Sequence, residues 1–321
     1  MTDAIVADQV LRLGDGRALG FKVWGDPAGA PLLFLHGTPG SRLQIGIGHE
    51  AGRELGLAII APDRWGYGLS DAAPTATLPA FAADMAALME HLGYAQFAVG
   101  GISGGGPYAT AVAAFLAPQV MALALVSPMG PVADPASRQA LSLFHRFCFG
   151  ALPRSPTAIA LVFALFRASL ERSPRLAALL ATLRAGPRDK ALIARPEIAR
   201  WLLGSFQEGL KRGLAGPVLD VQLFARGWDL DFAAVRAPAR LWIGSADTAV
   251  PVASARLLAR SIRACAITEL PTEGHFWVAA RYREVLEWIA TAIRDGAGAD
   301  RPLADRSLRA QMQAENTPTD R

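Results

Sequence analysis

Four short apolar runs limit what this chain can fold into: LLFLHG (32–37), AIIAPD (58–63), FAVGGIS (97–103) and ALALVSP (122–128). None alternates with polar residues, so each reads as a strand buried on both faces. Helical patterns separate them. One is expected from about Ser41 to Leu55. A second carries Phe81, Met85, Leu88, Met89 and Leu92 on one face and stops at Gly93, and a third spans 106–117. LRL (11–13) and LGFKVW (19–24) flank a GDG hairpin signal. Strands alternating with helices, and buried on both sides, require a mostly parallel, doubly wound α/β sheet.

The rhythm breaks from about 131 to 226, where Leu-, Phe- and Ala-rich helical segments are interrupted by Pro153, Pro156, Pro174, Pro187, Pro196 and Pro217. It resumes with ARLWIGSAD (239–247), a helix near 252–262, AITELP (266–271) and a helix from Val278 to Ile293. The expected organisation is a core of residues 1–130 and 227–295, a helical lid of residues 131–226, and a mobile polar tail at 296–321. In such sheets ligands bind at the carboxyl ends of the strands.

Composition narrows the function classes. A formal charge of +4 over 321 residues, with no basic run interleaved with aromatics, gives no nucleic-acid-binding surface. The two cysteines, Cys148 and Cys265, have no metal or redox spacing and read as free or buried thiols, which fits a reducing, cytoplasmic setting. The N-terminus lacks the basic and apolar regions of a secretory signal. The longest apolar stretch, 157–166, is far short of the ~20 residues that span a bilayer, so no stable membrane insertion is expected.

GGISGGGP (100–107) places one serine among five glycines. Gly101-Ile102-Ser103-Gly104-Gly105 matches G-x-S-x-G between a buried strand and a helix. A serine on so sharp a turn has its Oγ lifted clear of the sheet, and the positions two before and two after must be small. The helix N-terminus beyond it favours a developing anion. No Gly-Lys-[Ser/Thr] follows, which removes a phosphate loop. The letters of G-x-G-x-x-A occur at 104–109, but no acid follows about 20 residues on, as a dinucleotide fold needs.

A nucleophilic serine needs a base, and the base needs an orienting acid. Of five histidines, His275 lies in PTEGHFW, after the last strand and before the last helix, at the same end of the sheet as Ser103. His36 precedes a tight turn and reads as structural, His91 as a helix C-terminal residue and His49 as a surface one. His145, in the lid, is a candidate to touch substrate. Asp247 follows a late strand in IGSADTAVP, whereas Asp229 and Asp231 precede one. Asp63 is expected to pair with Arg64 or with loop amides.

The order Ser103, Asp247, His275 resembles that of the α/β-hydrolase superfamily. HGTPGS (36–41), PDRWGYGLSD (62–71), GSADTAVP (244–251) and EGHF (273–276) also resemble its landmark segments, over about 10–295. The resemblance implies the fold and this catalytic apparatus and does not fix the substrate; the expected activity is that of a serine hydrolase cleaving an ester or related carbonyl bond of a small molecule (carboxylesterase-like) through an acyl-enzyme, with no cofactor or metal required. The oxyanion hole is expected from the backbone N–H of Gly104 and of Thr38, with Gly37 and Gly40 as alternatives; Pro39 has no N–H. Lid phenylalanines such as Phe144 and Phe163 are candidates to bind an apolar acyl or alkyl group, or simply to pack lid helices. An aminopeptidase, lactonase, thioesterase or carbon–carbon hydrolase would use the same triad, and a ligand-binding protein on this fold is the alternative from another class. Dehalogenases and epoxide hydrolases of the superfamily would carry Asp where Ser103 stands.

Overall fold

The computed structural model describes residues 7–74 and 76–297. Eight strands form one sheet in the order β1-β2-β4-β3-β5-β6-β7-β8. β1 (Gln9–Arg12) and β2 (Ala18–Gly25) make the N-terminal hairpin, and β2 runs antiparallel to β4 (Leu57–Pro62). From β4 onward all pairings are parallel, through β3 (Ala30–Leu35), β5 (Phe97–Ile102), β6 (Val120–Val126), β7 (Ala239–Gly244) and β8 (Cys265–Leu270). The apolar runs are the central strands, and every residue of β4 and β5 is buried.

Alternation along each strand feeds two cores. Leu33, Val99, Leu123, Leu125 and Leu241 face one side, under α2 (Leu78–His91), α3 (Gly106–Phe115) and α11 (Val252–Ser261). Leu32, Phe34, Ala98, Ala124 and Trp242 face the other, where α12 (Val278–Ala297) contributes Val285, Leu286, Ile289 and Ile293. The helix expected over 41–55 is shorter: a 3-10 turn, Gln44–Gly48, leads into α1 (His49–Glu54). Gly46 and Gly48 weaken an α-helix there, and Gly46 lies tight against the Trp24 ring. The tail expected at 296–321 lies outside the described residues from 298 on.

Between β6 and β7 the chain is helical: α4 (Pro135–Gln139), α5 (Leu143–Arg146), α6 (Pro156–Arg172), α7 (Pro174–Ala181), α8 (Pro187–Ile193), α9 (Pro196–Gly209) and α10 (Ala215–Ala225). The prolines that interrupt the sequence pattern open helices here, because the first turn has no use for an N–H. Ser155 and Ser173 cap α6 and α7 by accepting from the Ala158 and Leu176 amides. Among the described residues no single helix is long and apolar enough to cross a membrane.

Candidate active site

β5 delivers Ser103 to the carboxyl edge of the sheet. The backbone there turns so sharply into α3 that Ser103 has φ 53°. A non-glycine residue at such a φ is costly, by about 1–3 kcal/mol, and persists only where its surroundings hold it. Here the Met129 amide donates to the Ser103 carbonyl at 2.9 Å. The flanking glycines are required by contact: a Cβ on Gly101 would lie 2.7 Å from the Gly105 carbonyl carbon and 2.9 Å from Ala109 Cβ.

β7 and β8 supply the partners. β7 ends at Gly244, and the loop beyond it carries Asp247; β8 ends at Leu270, and its loop carries His275. His275 Nε2 stands 3.1 Å from Ser103 Oγ, and His275 Nδ1 stands 2.7 Å from Asp247 Oδ2. Asp247 Oδ1 accepts from the amides of Ala249 and Val250 at 2.8 and 3.0 Å, which fixes the carboxylate in its plane. Burial alone would lower the His275 pKa. The charge and hydrogen bond of Asp247, with the charge of Asp189, outweigh it and raise the pKa above the usual histidine value.

Thr38 and Gly104 are also brought together. A Cβ on Gly104 would collide with the Thr38 side chain and lie 2.9 Å from Phe224 Cζ. Both residues line the cavity above Ser103. Of the alternatives, Gly37 has its N–H committed to Gln44 Oε1 at 2.7 Å, and Gly40 does not line the cavity. His36, as expected, is structural: its Nε2 accepts from the Arg64 amide at 2.9 Å, and burial, then the Arg64 charge, hold its pKa well below the usual value.

The cavity has a volume of about 340 Å³ and an apolar wall. Phe144 and Phe163 both line it, with Phe149, Phe166, Trp201 and Phe206. Phe163 also packs on the helical insertion's own core. His145 is a correction. It does not line the cavity; its ring packs on Phe149, its Nδ1 lies 3.1 Å from Ser142 Oγ, and it backs the Thr248–Ala249 segment beside Asp247. Its ring also touches that of its neighbour Phe144, at 5.6 Å, and it is Phe144 that reaches the cavity.

Two further expectations change. Asp63 takes loop amides, as one of the two expectations had it, from Arg42 at 2.7 Å and Leu69 at 2.9 Å, but its ion pair is with the Arg42 guanidinium at 2.8 Å, not with Arg64. Arg64 turns instead to Asp220 of α10 at 2.6 Å. His49 is half-buried, not a free surface residue, and accepts from the Gly25 amide at 3.0 Å. Cys148 is a free thiol, as expected; it lines the cavity, and burial pushes its pKa up to about 11.

Two acids that the sequence did not single out reach the site from the insertion. Asp220 is fully buried and accepts from Thr38 Oγ1 at 2.5 Å, Tyr67 Oη at 2.7 Å and Tyr108 Oη at 2.7 Å, besides Arg64. Asp189 of α8 accepts from the backbone N–H of His275 at 2.8 Å and of Phe276 at 2.9 Å.

A serine on a strained strand-to-helix turn, a histidine and an aspartate on later loops, and a helical insertion above them define the architecture of an α/β-hydrolase. The comparisons agree: residues 30–276 match the alpha/beta hydrolase fold family, and the chain belongs to it. A non-heme chloroperoxidase from Streptomyces lividans is 35% identical over 126 residues, which is 37% of this chain and 44% of that protein; the match thus spans less than half of that curated relative's length. Among solved structures, an alpha/beta hydrolase fold protein from Nakamurella multipartita has a TM-score of 0.67 at 23% identity, covering 91% of this chain and 100% of that one. A thermophilic esterase from Thermogutta terrifontis, in a malate-bound structure, has a TM-score of 0.62 at 24% identity, covering 90% and 99%.

Proposed function

We propose that this α/β-hydrolase is a serine esterase that cleaves apolar carboxylic esters through an acyl-enzyme. The observation that carries the reading is the pair of short contacts from His275, 3.1 Å to Ser103 Oγ and 2.7 Å to Asp247, at the floor of an apolar cavity. Asp247 holds the proton on Nδ1, which leaves the Nε2 lone pair facing the hydroxyl. Ser103 Oγ attacks the ester carbonyl carbon while its proton passes to Nε2. The carbonyl oxygen becomes an oxyanion beside the Gly104 and Thr38 amides, at the positive end of α3. Collapse of the tetrahedral adduct breaks the bond to the alkoxide, which leaves with the proton from Nε2. Water then repeats the sequence on the acyl-enzyme, releasing the acid and free Ser103.

The wall favours esters over peptides. Gln44 alone offers the cavity a side-chain amide, and that group already accepts from Gly37. A buried peptide N–H would need a partner that the aromatic wall does not supply. The test is a panel of aryl and alkyl esters, lactones, thioesters and aminoacyl amides, each run with Ser103→Ala. Turnover of short- and medium-chain esters above the other classes, abolished in Ser103→Ala, is the expected result. A preference for amides, or no turnover of any class, contradicts the reading.

A further inference from the structure

The insertion does more than roof the cavity, because one stretch of it is bonded to both loops that carry the base and its acid. The Arg184 carbonyl accepts from Thr248 Oγ1 at 2.8 Å, next to Asp247 in the chain. Five residues on, Asp189 takes the His275 and Phe276 amides, one on each carboxylate oxygen. The neighbouring Arg188 pairs with Glu273 at 2.5 Å, on the same loop. Asp189 is 1% exposed, so its charge has been taken out of water. Two backbone amides are the hydrogen bonds that meet this cost, and they belong to the His275 loop. The fit is close: Gly274 leaves room for the carboxyl, and any Cβ there would collide with it.

We propose that Asp189 is a positioning residue for the general base: the insertion completes the His275 loop, and the imidazole is aimed at Ser103 only while α8 is seated. The inference rests on the serine-hydrolase reading and deepens it. A carboxylate bonded to two successive amides fixes both peptide planes, and so the direction in which the His275 side chain leaves the backbone. The alternative sources of that orientation are few. Asp247 grips Nδ1 but leaves the ring free to pivot about that bond, and Phe276 packs edge-on to the imidazole at 5.3 Å. Asp220 does the corresponding work on the opposite loop, where it holds Thr38, so the insertion braces both sides of the reacting centre.

Asparagine at 189 keeps one acceptor oxygen and sets an NH2 against the other backbone N–H, so one of the two bonds is replaced by a clash of donors. A reacting group misplaced by about 1 Å can cost about 100-fold. The expected result for Asp189→Asn is therefore a kcat lower by about 10- to 100-fold on a small acetate ester, with KM within about threefold. A second readout separates positioning from bulk stability. The charged groups facing His275 are Asp247 and Asp189, and those around Asp189 are Asp247, His275 and the exposed Arg188–Glu273 pair. Neutralising Asp189 removes a negative charge that favours the imidazolium, so the acidic limb of the kcat–pH profile moves to lower pH.

Wild-type, Asp189→Asn and Ser103→Ala are assayed side by side on the full chain, with circular dichroism to establish folding. Reduced kcat with the limb shifted down is the result expected for Asp189→Asn. A folded Asp189→Asn with wild-type kcat, or with its limb unmoved, overturns the proposal, while loss of turnover in Ser103→Ala leaves the serine reading standing. Turnover that survives in Ser103→Ala removes that reading and this inference together. Should Asp189→Asn fail to fold, Gly274→Ala carries the test: displacing the carboxyl must lower kcat with KM little changed, and wild-type kcat there is the contradicting result.

Discussion

Asparagine in place of Asp247 probes the assignment of the orienting acid, and the structure dictates how that asparagine must sit. Oδ1 of Asp247 receives two backbone N–H groups, from Ala249 and Val250, while Oδ2 faces His275 Nδ1. An asparagine must keep its carbonyl oxygen toward the two amides, because turning the NH2 that way would set it against two donors. Its NH2 therefore points at Nδ1 and donates to it. The imidazole proton is driven to Nε2, and the atom that should accept from Ser103 Oγ becomes a donor. The shape of the site is unchanged; only the tautomer is wrong. In serine proteases the equivalent change costs about 10⁴ in kcat. The two fixed loop amides leave little freedom to escape it here, so a loss of about 10³–10⁴ is expected, or about 4–5.5 kcal/mol of transition-state stabilisation. The assay is steady-state hydrolysis of a chromogenic acetate ester, with circular dichroism to show that the fold is intact. Asp229→Asn and Asp231→Asn serve as comparisons, expected to stay near wild-type. A folded Asp247→Asn within tenfold of wild-type, or a collapse of activity in either comparison instead, refutes the reasoning.

Other perturbations reach other parts of the account. Gly104→Ala drives a methyl into the Thr38 side chain and should lower kcat by about 10²–10³ through the oxyanion site; steady-state kinetics showing wild-type kcat would remove Gly104 from it. Phe163→Ala enlarges the cavity wall and should raise kcat/KM for branched or longer acyl esters relative to acetate while acetate kcat stays within about threefold; an unchanged ester profile assigns Phe163 to packing alone. The raised His275 pKa places the acidic limb of kcat/KM above about pH 6.5, since only neutral imidazole accepts the proton. The sign for stability runs the other way: the imidazolium's contribution is full below the unfolded pKa and is lost as pH rises through the folded one, which the pH dependence of Tm in wild-type against Asp247→Asn checks.

The parts of the site legible in the sequence are those fixed by local rules. Ser103 announces itself because a tight strand-to-helix turn admits only small residues around it, and glycine spacing is visible in one chain segment. Asp247 and His275 follow from where β7 and β8 end, which their apolar runs mark to within a few residues. The insertion's contribution was hidden for a physical reason. Asp189 and Asp220 find their partners in segments far away in the chain, and no periodicity or spacing encodes a contact of that kind. His145 was misplaced on the same grounds: residue type and lid location said nothing of which side of α5 faces the cavity. Asp63 and Arg64 are adjacent in sequence, yet their side chains leave the strand end in different directions, to Arg42 and to Asp220.

The central claim is that Ser103 is the nucleophile, and intact-protein mass spectrometry after exposure to a fluorophosphonate probe tests it most directly. A single adduct per chain, mapped to Ser103 by peptide sequencing, is expected, and none in Ser103→Ala. An adduct on another residue, or Ser103→Ala labelled as fast as wild-type, would contradict it.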